Sequence, residues 1–141
     1  MSRQKNMDVK FRIATVPYLN AEPLIFGLEQ HPAVELLAAP PAQLADMLEI
    51  HRVQAALVPT IDFLPRRDLW HMLPVGAIGS PGEVLTVRVF SQQPPENLDL
   101  LAGDVESHSS IMLSRIIWRY HFKRNLTVTP LQGHPNQHPA V

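Results

Sequence analysis

The sequence predicts an α/β protein with a mostly parallel sheet, and three observations carry that reading. Strand-like and helix-like stretches alternate through the first half, in the order strand, helix, strand, helix, strand. One of these strands, Ala55-Ala56-Leu57-Val58, is apolar at every position, the pattern of a strand covered on both faces. The composition is that of a folded chain, 45% hydrophobic and 18% charged over 141 residues, about one domain's length.

Phe11-Arg12-Ile13-Ala14-Thr15-Val16 reads as the first strand, ended by Pro17, which has no N–H for a central ladder. Asn20 then stands at an N-cap position, with Glu22 and Pro23 in the first turn and Leu24, Ile25 and Leu28 as the apolar face of a short helix. A second strand is expected over 34–38. Pro40-Pro41 breaks the chain, and Leu44, Met47 and Leu48 recur at the i, i+3, i+4 spacing of an amphipathic helix. The apolar strand 55–58 runs into Pro59. Further strands are expected over 73–78 and 84–90, separated by the turn cluster Gly79-Ser80-Pro81-Gly82. Ser91-Gln92-Gln93-Pro94-Pro95 turns polar and proline-rich, the best linker in the chain. Beyond it, 98–105 leads to Ser107-His108-Ser109-Ser110, a strong helix over 111–118 and a last strand over 126–131. Residues 132–141 mix proline and histidine without periodicity and read as an irregular tail.

Several function classes lose support at once. Lys plus Arg is 12 against 13 for Asp plus Glu, a net charge of −1, which is no footprint for neutralising nucleic-acid phosphates. With 0 Cys there is no disulfide framework, thiolate zinc site or thiol nucleophile. The first ten residues are polar and charged, and no apolar targeting segment follows them. The mostly apolar run 53–61 is far short of the ~18 apolar residues a spanning helix needs, so a cytoplasmic protein without a membrane partner is expected. His134 and His138 each precede a proline and cannot share a helix face, so no metal is expected. The glycines of 76–82 match neither dinucleotide nor P-loop spacing, and no nucleophile elbow exists. Glu22, Glu83, Asp104 and Glu106 stand at no telling spacing and read as solvated carboxylates.

Three loops stand out, because each follows a strand and offers small polar groups where parallel sheets bind ligands. They are Pro17-Tyr18-Leu19-Asn20, Pro59-Thr60 and Glu106-Ser107-His108-Ser109-Ser110. The first and third open helices, whose free N–H groups and dipole favour an anion. Singly, each is equally an ordinary helix cap. Facing one cleft, the three together point to a small anionic ligand.

Four blocks, in order along the chain, resemble a known family. Val16-Pro17-Tyr18-Leu19-Asn20-Ala21-Glu22-Pro23-Leu24 is similar to the motif S-Y-L-N-[TA]-x-P-L, and Ala56-Leu57-Val58-Pro59-Thr60-Ile61-Asp62-Phe63 to A-L-[VI]-P-[SV]-I-[ED]-[YF]. Gly82-Glu83-Val84-Leu85-Thr86-Val87 is similar to G-P-V-x-S-V, and Ser107-His108-Ser109-Ser110 to S-R-T-S. The family is chorismate dehydratase of the futalosine route to menaquinone. The resemblance implies a type 2 periplasmic-binding-protein-like fold of two lobes, with chorismate between them and no cofactor. It implies that 1–91 is the first part of lobe 1, 92–97 a hinge, 98–131 only the beginning of lobe 2, and 132–141 an irregular tail. By matching position it makes Asn20 and Thr86 the catalytic pair. Tyr18, Thr60, Ser107, Ser109 and Ser110 become substrate-binding residues.

This chain departs from the motifs where Pro17 replaces a serine, Thr86 replaces a serine, and His108 replaces an arginine with its permanent charge and bidentate donors. Family members are also longer, which implies an apolar surface where their return helices pack. The residues therefore fit two further readings, a non-catalytic carboxylate-binding module of the same fold and an inactive half-protein.

Overall fold

A computed structural model describes residues 10–85 and 87–131. Thr86 and the expected irregular tail 132–141 lie outside the described residues. The chain divides into two compact units, one of Met1–Val58 and His71–Ile78, the other of Pro59–Trp70 and Gly79–Val141.

The first unit is built on β1 (Phe11–Thr15), which is central in a parallel sheet of order β2-β1-β3. β2 (Val34–Ala38) runs beside it in the register Phe11↔Val34 to Thr15↔Ala38. β3 (Ala55–Ala56) pairs on the other edge through Ile13↔Ala55 and Ala14↔Ala56. The apolar run expected as one strand over 55–58 keeps two ladder residues, and Leu57 N–H still donates to the Ala14 carbonyl at 3.0 Å before Pro59 ends the pairing. At the other end Arg12 and Gln54 clamp the pair. Gln54 N–H donates to the Arg12 carbonyl, and Arg12 N–H donates to Gln54 Oε1.

Parallel strands need crossovers. The first is a 3-10 turn, Leu19–Ala21, running into the single-turn helix α1 (Glu22–Ile25). The second is α2 (Pro41–Glu49), where Pro40 is extended at the N-cap and Pro41 occupies N1, the position that tolerates a missing N–H. Leu44, Ala45 and Met47 of α2 are buried, and Leu44 is fully so. Leu44 and Met47 close a core with Ala14, Val16, Ala21, Ala39 and Val53, against which Leu37, Leu48 and Leu57 pack. The helix ends with His51 in the left-handed region (φ 55). There His51 N–H donates to Leu48 O and Arg52 N–H to Met47 O, so the last carbonyls are satisfied as in a glycine-capped terminus.

The second unit contains a βαβ element: β4 (Leu100–Gly103), α4 (His108–Tyr120) and β5 (Thr127–Pro130), with β4 and β5 parallel. Pro130 sits at the end of a strand with a free edge, where its missing N–H costs no ladder bond. Leu98, Trp118 and Leu126 form the core, with Leu101, Phe122 and Val128 around them. The Trp118 and Phe122 rings meet at 5.2 Å. The unit also holds α3 (Thr60–Phe63), continued by the 3-10 turn Leu64–Arg66, and a further 3-10 turn at Pro95–Asn97.

Two expected strands are absent among the described residues. Residues 73–78 are irregular, because Pro74 and Gly76 interrupt the run and no neighbouring strand pairs with it. Among the described residues of 84–90 there is likewise no strand. The alternation is present, but Leu85 and Phe90 are exposed and no ladder partner lies alongside. Among the described residues, no helix is long and apolar enough to cross a membrane.

His51 is the one residue of the α2 terminus in a conformation that costs an L-amino acid about 1 kcal/mol. His51→Gly should therefore raise unfolding stability by about 1 kcal/mol, read as a higher urea midpoint with an unchanged slope.

Candidate functional site

Asn20 is not the N-cap that its sequence position suggests. The Tyr18 carbonyl accepts the Ala21 N–H at 2.9 Å, closing the 3-10 turn, and the N-cap position of α1 falls on Ala21. Ala21 has no exposed surface and belongs to the core, so it anchors the loop from beneath. Tyr18, Leu19 and Asn20 are left exposed above it, and Asn20 caps neither the 3-10 turn nor α1, whose N-caps are Tyr18 and Ala21. An amide spent on capping could not bind a ligand; this one is free to do so. A groove of about 390 Å³ in the same unit is lined by Thr15, Val16, Pro17, Glu22, Glu29 and Glu35 among others, but by neither Tyr18 nor Asn20. Its three carboxylates outnumber the one lining cation, Lys10, and make it a poor seat for an anion.

In the second unit, Thr60 is the first residue of α3, with extended Pro59 as its N-cap, and its side chain is exposed. The Pro59-Thr60 loop thus opens a helix too, which the short apolar-to-proline boundary hid. α3 packs against α4. At the start of α4, Ser107 occupies the N-cap with φ −103 and ψ 58 but makes no capping bond from its side chain. Its Oγ donates instead to Ser110 Oγ at 2.8 Å. The Ser110 carbonyl accepts the hydroxyl of Ser114, one turn later, at 2.9 Å, inside the helix. Ile111 N–H reaches the Ser107 carbonyl at 3.0 Å, so the preceding N–H groups, of His108, Ser109 and Ser110, are those that a helix start leaves without intrahelical partners. The turn into α4 is fixed by Asp104, whose carbonyl accepts Ser107 N–H and whose Oδ1 accepts Glu106 N–H. Asp104 is therefore a turn-forming residue.

Sequence reasoning missed one pairing. Both carboxylate oxygens of Asp62, on α3, lie 3.0 Å from Nδ1 of His108, the first residue of α4. The two residues are 46 apart, and no spacing rule links them. The only sequence signal was that each falls inside a motif block. Thr60, Asp62, Ser107, His108, Ser109 and Ser110 are thus brought onto two adjoining helix starts within one unit. Tyr18 and Asn20 belong to the other unit, and Thr86 lies outside the described residues.

Fold and loops together define a parallel α/β protein that presents amide and hydroxyl side chains where its strands end. The chain belongs to the menaquinone-biosynthesis family, whose model matches residues 11–141. No curated protein matches the chain significantly. No solved structure does either.

The start of α4 is held against β4 by close approach at Gly103. A Cβ there would stand 3.0 Å from Val128 Cγ1 and 3.1 Å from Ile111 Cγ1, and both neighbours are β-branched and stiff at χ1. Gly103→Ala should cost about 1–3 kcal/mol of stability, measured by urea unfolding, because strand and helix must part to admit the methyl group.

Proposed function

We propose that this protein is a chorismate dehydratase, converting chorismate to 3-[(1-carboxyvinyl)oxy]benzoate and water, on the type 2 periplasmic-binding-protein-like fold that its motifs resemble. The observation that carries the reading is the uncapped, exposed Asn20 amide in a chain of the menaquinone-biosynthesis family. Chorismate is a dianion, and the polar groups of the loops suit carboxylates without a lysine or arginine. Thr60, Ser109 and Ser110 supply hydroxyls, Ser107 orients Ser110, and the first N–H groups of α4 add their dipole. Tyr18 borders the same loop as Asn20, and Thr86 stands where the motif has its second catalytic residue.

The reaction breaks one ring C–H bond and one ring C–OH bond, and the proton and hydroxide leave as water. Aromatisation of the ring supplies the driving force, so the protein has to hold geometry more than to supply strong acids or bases. An amide is too weakly basic to take a proton at neutral pH. Asn20 therefore orients the substrate, and the enolpyruvyl carboxylate of chorismate itself receives the ring proton. No cofactor enters this scheme.

The test is to incubate the purified chain with chorismate and follow the aromatic product by absorbance and mass. Product should form, and Asn20→Ala should slow it by about 100-fold or more, the scale of lost positioning. Absence of product from a folded chain would remove the dehydratase reading, and chorismate binding without turnover would make the protein a carboxylate-binding module. If Asn20→Asp were faster and followed a carboxylate pH profile, the substrate's carboxylate would not be the base.

A further inference from the structure

We infer that Asp62 is a positioning residue that holds His108 with its Nδ1–H turned inward and its Nε2 presented to a carboxylate ligand. The identity of that ligand as chorismate rests on the dehydratase proposal; the hold itself rests on geometry. Both oxygens of Asp62 approach Nδ1 at 3.0 Å. A carboxylate only accepts, so the hydrogen is on Nδ1 whether the ring is neutral or charged. The Asp62 side chain is 14% exposed and that of His108 38%, so the carboxylate forms the inner end of the pair and the imidazole the outer end. A carboxylate so withdrawn from water needs a donor, and His108 supplies it.

Nε2 is on the far side of the ring from Nδ1 and has no hydrogen-bond partner among the described residues. It belongs to a side chain flanked in sequence by Ser109, a proposed substrate hydroxyl, and Ser107, which orients the hydroxyl of Ser110. On an imidazolium, Nε2–H gives a charge-assisted hydrogen bond to a carboxylate; on a neutral ring held in this tautomer, Nε2 offers only a lone pair, which a carboxylate repels. His108 thus takes an acidic ligand in its protonated form, which an arginine at the same place would do at every pH. The charged groups around the pair are Asp62 itself and Arg66, whose Nη1 donates to the Asp62 carbonyl at 3.1 Å. Asp104 and Glu106 stand in the turn just before α4.

The hold is tested without any ligand by nitrogen NMR of the histidine rings in the full chain, with His108 assigned through His108→Gln. At a pH where the ring is neutral, the hydrogen should sit on Nδ1, and in Asp62→Leu it should move largely to Nε2; a wild-type ring protonated on Nε2 would overturn the inference. Chorismate should then shift the Nε2 signal. His108→Ala should raise KM for chorismate about tenfold with kcat changed less than about threefold, and His108→Arg should recover it. Normal turnover with an unchanged KM in His108→Ala would end the ligand role of His108 and leave the dehydratase reading intact. A chorismate-induced shift at Nε2 without product would do the reverse. No shift at Nε2 under saturating chorismate would also end the ligand role.

Discussion

The central position of β1 is the constraint on which the first unit depends. A strand paired on both edges by parallel neighbours must be left by a crossover and approached by another, because parallel strands cannot be joined by a tight turn. Ala14 and Thr15, at the end of β1, are buried for that reason, and the chain leaving them has to turn back over the sheet. Pro17 stops the strand, the 3-10 turn bends the chain, and the buried Ala21 pins it. What lies between Pro17 and Ala21 is forced outward. Asn20 is exposed because the residue after it is not.

The same logic governs the second unit with different means. There the crossover is the single helix α4, and its approach to β4 is set by Gly103, whose missing side chain lets Ile111 and Val128 close over it. The turn is set by Asp104, through one side-chain and one main-chain acceptor. These contacts place Ser107 at the helix start with its hydroxyl turned to Ser110. Leu98, Trp118 and Leu126 supply the burial that holds helix and strands together, and the polar residues of the first turn contribute little to it. The division suits a binding protein, since polar groups not needed for folding are free to meet a ligand.

The strands and helices that were legible in the sequence are those whose pattern coincides with a tertiary partner. β1, β2, α2 and α4 each carry apolar residues at the right period, and each contributes to its unit's core, α4 through Trp118 while Leu113, Ile116 and Ile117 stay exposed. Residues 73–78 and 84–90 carry β-rich composition too, yet a strand exists only by pairing, and composition does not reveal a missing neighbour. The capping error at Asn20 is of another kind. Asn before an acidic residue and proline is a good helix-start signal, but a 3-10 turn moves the start by one residue, a shift set by Ala21 burial that local chemistry does not encode. The hydroxyl loops were legible because strand ends are. The Asp62–His108 pair was not, since it joins two helix starts through a contact that only the packing of α3 on α4 creates.

That pair changes what the substitution of arginine by histidine means. An isolated histidine in place of arginine would forfeit a fixed planar fork of donors and a permanent charge. A histidine held at Nδ1 by a carboxylate keeps one of those properties, orientation, and makes the other conditional on the proton. Asp62 falls in a block that resembles a motif with an acidic residue, and His108 in one that resembles a motif with an arginine, and in this chain the two meet. A carboxylate left facing a non-polar replacement would be withdrawn from water with no donor, a cost of a few kcal/mol for such a group. Histidine is the substitution that answers Asp62 and still presents a nitrogen outward. Asp62 therefore limits which residues position 108 can accept, and the polar character of the α4 start follows from a contact made on α3.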